Sequence, residues 1–195
     1  MACAIPINLE TSPLPNAFTN PRKIVIQSGM LRVLRTDADL ATIVGHELAH
    51  VNMGHYQKKT QAALLGEFGG AMIDGGFLLG GIYTGRAFSN YLGRASAKGF
   101  SVAFEREADY VGVYYATRAG YDIAGTEDVW RAMALESPAS MRTTTKNPTT
   151  PERFLFLRKV TDEIADKKRR NLPLVPELEV SQADAAPAAM RDANY

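Results

Sequence analysis

His46-Glu47-Leu48-Ala49-His50 sets two imidazoles and a carboxylate in the HExxH spacing. On an α-helix, residues four apart are rotated by only about 40°, so His46 and His50 project from one face, a turn apart, and both can reach one metal ion. Glu47 is offset from His46 by about 100°, too far round to be a third ligand but suited to act as a base on water activated by that ion. The chemistry implied is hydrolysis assisted by one zinc ion. The chain holds only three histidines, and two stand in this motif, which argues against a chance placement on an ordinary amphipathic helix.

The spacing needs a helix, and the flanking residues predict one over about 37–57. Thr36, followed by Asp37 and Asp39, reads as an N-cap with acidic residues in the first turn. Leu40, Ile43, Val44, Leu48 and Val51 then recur at three- and four-residue spacing and form one apolar face.

A catalytic zinc ion typically takes three protein ligands and keeps a fourth position for water, so the chain must supply one more. On a continuous helix His55 lies about 140° round from His50 and points away, so we expect it to be a polar residue near the helix end. A metzincin arrangement would need a glycine and a histidine where the chain has Met53 and Tyr56. Carboxylates remain, and Glu105-Arg106-Glu107-Ala108-Asp109 is the best-placed cluster. It lies on a helix predicted over about 100–119, apolar through Val102, Ala108, Val111 and Tyr115 and ended by Gly120. Glu105 and Asp109 share one face, where they would be costly to bury unless paired or metal-bound. Glu105 as ligand, with Asp109 accepting a ligand imidazole N–H, would satisfy both. A solvated face, with Arg106 and Glu107 in surface contacts, is the alternative, and the spacing alone does not choose.

The positioning elements follow from the rest of the chain. At 195 residues and 46% hydrophobic composition it can bury one sizeable core, and we expect a single domain over 1–180 with a disordered Ala-, Pro- and Asp-rich tail at 181–195. Asn16 to Ile26 reads as a short hairpin, 29–35 as a helical stretch, 122–136 as a helix, and Pro151 as the N1 residue of a last helix to about 170. Lys167 to Arg170 is expected to be a solvated helix end. With 22 Lys and Arg against 21 Asp and Glu, and no basic stripe, nucleic acid is not an expected partner. Cys3 stands alone, so no intrachain disulfide is possible. The prolines at 6, 13 and 15 and the lack of a signal segment suggest a truncated N-terminus. Leu64 to Ile82 is apolar, but Glu67, Asp74 and seven glycines interrupt it, and we do not expect a transmembrane segment. It reads either as a mobile lid over the cleft or as close packing of small residues between helices. Peripheral membrane association stays compatible with the sequence.

His46-Glu47-x-x-His50, followed some 55 residues later by Glu105-x-x-Ala108-Asp109, resembles the HtpX and CAAX prenyl endopeptidase type of zinc metallopeptidase, a gluzincin group with Oma-type and periplasmic quality-control members. The likeness spans roughly 15–160 and includes Asn16-Ala17-Phe18, Gly29-Met30-Leu31 and Ala119-Gly120-Tyr121-Asp122. It implies an α+β, predominantly α fold: a gluzincin core with the HExxH helix, a second zinc-ligand helix and a small β-hairpin or sheet. It also implies one zinc ion on His46, His50 and Glu105, Glu47 as the catalytic base, and Asp109 behind a ligand imidazole. The activity implied is endopeptidase cleavage of unfolded or misfolded polypeptides, in a bacterial periplasm or envelope. Two departures stand out. Ser101-Val102 replaces a common Ser-Arg, and Asn147-Pro148 precedes Arg153 where many relatives carry His-Pro before an arginine. Asn16, Asn147 and Arg153 are therefore candidates for contacts to substrate or transition state. Asn147 can donate a hydrogen bond but cannot carry charge or bind a metal strongly. That motivates an alternative, a latent, chaperone-like peptide binder with its site blocked by the Gly-rich region. A bound peptide could add to a strand edge at Ile24 to Gln27 or be held by Asn16.

Overall fold

Thr36 fixes the start of the motif helix. In this computed structural model, which describes residues 5–136 and 151–177 without the side chains of 95–102, its hydroxyl accepts the Asp39 N–H at 3.1 Å. The Asp39 carboxylate accepts the Thr36 N–H at 3.0 Å in return, so two donors that the first turn leaves orphaned are satisfied reciprocally. Helix α1 then runs over Asp37–Asn52. It is shorter than expected, because Gly54 takes the left-handed conformation (φ 67°) and breaks the chain direction. Helix α2, His55–Leu79, starts afresh after that break.

The glycine-rich stretch is helical. α2 and the following helix α3, Ala87–Arg118, form an antiparallel hairpin, so α3 begins well before the expected residue 100. Its packing explains the composition: a Cβ on Gly70 would stand 2.4 Å from the Ser89 backbone, and one on Gly93 would stand 2.5 Å from Glu67 Cγ. Small residues let the two backbones approach, in agreement with the close-packing reading. α3 ends at a Schellman turn, with Gly120 (φ 92°) placing the Tyr121 N–H on the Ala116 carbonyl at 3.1 Å. Helices α4, Thr126–Glu136, and α5, Pro151–Arg169, complete a predominantly helical α+β fold.

The strand component is larger than a hairpin. β1 (Ile7–Glu10), β2 (Ala17–Asn20) and β3 (Lys23–Gln27) form a sheet of order β1-β3-β2. β3 pairs parallel with β1, Ile7 opposite Ile24, and antiparallel with β2, Ala17 opposite Ile26. Ile24, Val25 and Ile26 are buried, as befits a central strand. β3 is therefore closed to peptide addition along both edges, which corrects its reading as a docking strand. Ile24 and Ile26 join Met30, Ile43, Val113, Trp130, Leu157 and Ile164 in one core, with α1 packed on β2 and β3 as well as on α3. At the end of α5, Lys167 is buried and bonded to the Val175 carbonyl (2.7 Å) and Glu177 (3.0 Å), so it is not part of a solvated terminus.

Helices α1 and α3 touch backbone to backbone. A Cβ on Gly45 would stand 2.4 Å from the Gly112 carbonyl oxygen, and one on Gly112 would stand 2.6 Å from the His46 nitrogen. Gly112→Ala is expected to destabilise the fold by about 1–3 kcal/mol through overpacking. Gly75, with nothing within 4 Å of an added Cβ, is the contrasting site, and Gly75→Ala should stabilise α2 by about 0.5–1 kcal/mol. Opposite shifts of the urea midpoint would bear this out; equal effects would contradict it.

Candidate active site

The Gly45–Gly112 contact puts His46 against α3, and the α1 and α3 periodicities then bring His50, Glu105 and Asp109 to the same place. His46 Nε2 and His50 Nε2 lie 3.1 Å apart, and each is 3.4 Å from a Glu105 carboxylate oxygen. Among the described residues, His46, His50 and Glu105 form a group able to hold a metal ion, with ligand atoms all within 4.8 Å of one another. A tetrahedral ion with bonds of about 2.0–2.1 Å has ligand–ligand edges of about 3.3 Å, close to these separations.

Hydrogen bonding on the far side of each ring decides what faces the centre. His46 Nδ1 is 2.9 Å from Asp109 Oδ1. Burial opposes ionisation of Asp109, but the Arg153 guanidinium and His46 outweigh it and hold its pKa below the usual carboxylate range. Ionised Asp109, 2.9 Å from Nδ1, favours the tautomer that carries the proton there, which leaves the Nε2 lone pair toward the cluster. His50 is fixed at one remove. Its Nδ1 is 2.9 Å from His55 Nδ1, and His55 Nε2 is 2.9 Å from the Glu107 carboxylate. With Glu107 accepting from His55 Nε2–H, His55 Nδ1 accepts from His50 Nδ1–H, and the second Nε2 lone pair also turns inward. Glu105 Oε2 is buried without a hydrogen-bond donor.

Two Nε2 atoms and a carboxylate oxygen thus converge, an arrangement that fits a cation. Burial lowers the His46 pKa, but the bonds and charges of Asp109 and Glu105 lift it overall to about 9, whereas burial and His46 push His50 down to about 2. Glu47 faces the same interior. Burial raises its pKa to about 7, helped by Glu105 and opposed by His46 and Arg153.

Residues 6–161 match the sequence pattern of Peptidase family M48. The chain belongs to peptidase family M48. That family consists of metal-dependent peptidases acting on polypeptides, in agreement with the gluzincin resemblance and with the histidine–histidine–glutamate group in the M48 segment. The chain is also 32% identical over 115 residues to the mitochondrial metalloendopeptidase OMA1 of Arabidopsis thaliana. The match takes in 56% of this chain and 22% of that relative, so the chain corresponds to about a fifth of the relative's length. No solved structure matches it.

The remaining candidate residues fall in different places. Arg153, a candidate for substrate contact, is buried and aimed at Asp109: Nε donates to Oδ2 and Nη2 to Oδ1, both at 2.7 Å. Its guanidinium lies 3.7 Å over the Trp130 ring, which packs edgewise on His46. Asn16 enters β2, where its carbonyl accepts the Gln27 N–H at 2.9 Å. Asn147 lies outside the described residues. His55 and Glu107 are the members that the sequence reading misplaced. His55 is buried against His50 and stacked on Phe104 (4.4 Å), because the helix stops before it, and Glu107 bonds His55 instead of making a surface contact. The available signal was Gly54, a residue type that ends helices.

His55→Ala is expected to weaken metal retention by about 10–100-fold in competition with a chromogenic chelator, because the second imidazole loses its orienting acceptor. Unchanged retention would leave His55 a packing residue. Arg153→Leu should cost about 3–5 kcal/mol in denaturant unfolding, because buried Asp109 loses its paired cation. The Arg153→Leu/Asp109→Asn pair should lose less than the sum of its parts.

Proposed function

We propose that this chain is a zinc-dependent endopeptidase that hydrolyses peptide bonds in unfolded or misfolded polypeptides. The observation that carries this reading is the convergence of two imidazole lone pairs and an unpartnered carboxylate oxygen beside a second buried carboxylate, Glu47. His46, His50 and Glu105 would hold the ion, and zinc is a metal that two imidazoles and one carboxylate suit. When bound, zinc supplies Lewis-acid polarisation of the scissile carbonyl and makes water more acidic.

The protein's own groups do the rest. Glu47, whose burial makes it a stronger base than an exposed carboxylate, takes a proton from the attacking water as the new C–O bond forms. It returns that proton to the amide nitrogen as the C–N bond breaks, which gives a free carboxyl and an amine. Asp109 holds the first ligand ring and His55 the second, so neither must reorganise during the reaction. Arg153 keeps Asp109 ionised. For the substrate, among the described residues β2 pairs only with β3 and packs on α1, so its outer edge offers unpaired backbone groups with Asn16 at their start. A chain added there must be extended, which favours unfolded segments over folded ones.

Glu47→Gln keeps the size of the side chain and all three ligands but removes the base. Casein cleavage should fall by about 10²–10⁴-fold while bound zinc, read by elemental analysis, stays at the wild-type level. Undiminished cleavage would sink the role of Glu47. Wild-type protein that carries zinc and binds casein without turnover would instead establish the latent peptide binder.

A further inference from the structure

The α2–α3 hairpin is built inside out. The α2 side chains turned to α3 are small or polar: Ala63, Glu67, Gly70 and Asp74 follow one another at three- and four-residue spacing, and Gly70 and Glu67 touch Ser89 and Gly93. The large apolar side chains point away. Leu64, Leu65, Phe68, Met72, Leu78 and Leu79 are all exposed, Leu65 to 72% and Leu79 to 93%. At about 100° per residue, these and Ile73 cover about 220° of the helix circumference, while Phe77 stacks on Phe88 of α3. A helix made to dock on a protein groove carries a stripe of roughly 100°, so this face suits a fluid apolar phase better than a shaped partner.

Three further observations point the same way. By length and composition α2 is the one described helix able to cross a membrane, yet only 11% of its apolar window is buried, so it is not a core helix. Its one acidic group beyond Glu67 has its hydrogen bonds supplied within the hairpin: Asp74 accepts from Thr84 Oγ1, the Phe88 and Ser89 N–H groups and Ser89 Oγ. The backbone at the tip is also paired, with Gly80 N–H on Gly76 and Ile82 N–H on Phe77. Close helix packing on small residues, a hydrogen-bonded carboxylate and paired backbone at the tip, and large apolar side chains outside are the pattern that lipid selects.

We propose that the outward face of α2 lies in the interfacial zone of a lipid bilayer, with α3 above it toward water. Arg86, Asn90 and Arg94, all exposed, then stay at or above the headgroups, and Lys58 and Lys59 at the hairpin base meet anionic lipid. α2 begins at His55, which contacts His50, so the docked hairpin sets the metal cluster close to the membrane surface. This inference is independent of the peptidase reading, because lipid binding is read without any cleavage.

The test is flotation of the full chain with vesicles of mixed phosphatidylcholine and phosphatidylglycerol, beside a Leu65→Gln/Phe68→Gln/Met72→Gln variant. The three positions are exposed, so the variant should keep the wild-type circular dichroism. Wild type is expected to float with the vesicles and the variant to bind about a hundredfold more weakly or worse. A second variant, Phe68→Trp, should show a blue-shifted emission on vesicle addition. Wild type that stays with the protein fraction overturns the proposal. So does a lipid-free dimer in sedimentation that the triple variant abolishes, because the face would then belong to a second copy.

Discussion

The contact on which the rest of the molecule depends is the backbone crossing of α1 and α3 at Gly45 and Gly112. With no side chain on either residue the helices approach until a Cβ would overlap the opposing carbonyl, and His46 sits at the point of contact. The polar cluster between the two helices follows from that approach. His46 and His50 from α1 and Glu105 and Asp109 from α3 are forced into one small volume. There ionised or polar groups are tolerated only if each finds a partner. Asp109 finds Arg153, and Glu107 finds His55. Glu105 Oε2 is left without one, and it converges with the two Nε2 atoms on a place that a cation would satisfy.

The two imidazoles are supported in unlike ways. His46 leans directly on a buried carboxylate that α5 clamps through Arg153, so helix α5 and its first turn belong to the site although they supply no ligand. His50 leans on a neutral imidazole whose tautomer is set by a carboxylate further out. The first arrangement adds a negative charge next to the cluster; the second orients the ring with the charge held one residue farther away. The difference bears on metal chemistry, since a carboxylate behind a ligand raises its basicity and a neutral acceptor does so less.

The features legible in the sequence were the local ones. The reciprocal cap at Thr36, the shared face of His46 and His50, the Schellman turn at Gly120 and the proline-led start of α5 depend on residues within one or two turns of each other. Glu105 and Asp109 stood out because two carboxylates on an apolar helix need a reason, but a solvated face stayed open until the family resemblance chose. What could not be read were the non-local outcomes. The central place of β3 depends on β1 folding back parallel to it, and no periodicity inside Ile24–Ile26 announces that. The burial of Arg153 depends on α5 meeting α3. The extent of α2 and α3 was hidden because glycines weaken an isolated helix, whereas here they are what lets two helices pack.

His55 illustrates how a small local error propagates. Treated as part of one continuous helix, it turns away from the metal group; with a left-handed residue at Gly54, the chain reverses and His55 comes back beneath His50. The same break launches α2, so the support of one ligand and the base of the hairpin share a single joint. The other arm of the hairpin returns as α3, which runs without interruption into Glu105 and Asp109. Both arms therefore end on the metal group, one at an imidazole support and the other at a ligand. The glycines that let α2 lie close on α3 and those that let α1 lie close on α3 act on the same helix. Close backbone packing sets where α3 lies relative to the hairpin, and that same placement carries its carboxylates to the histidines.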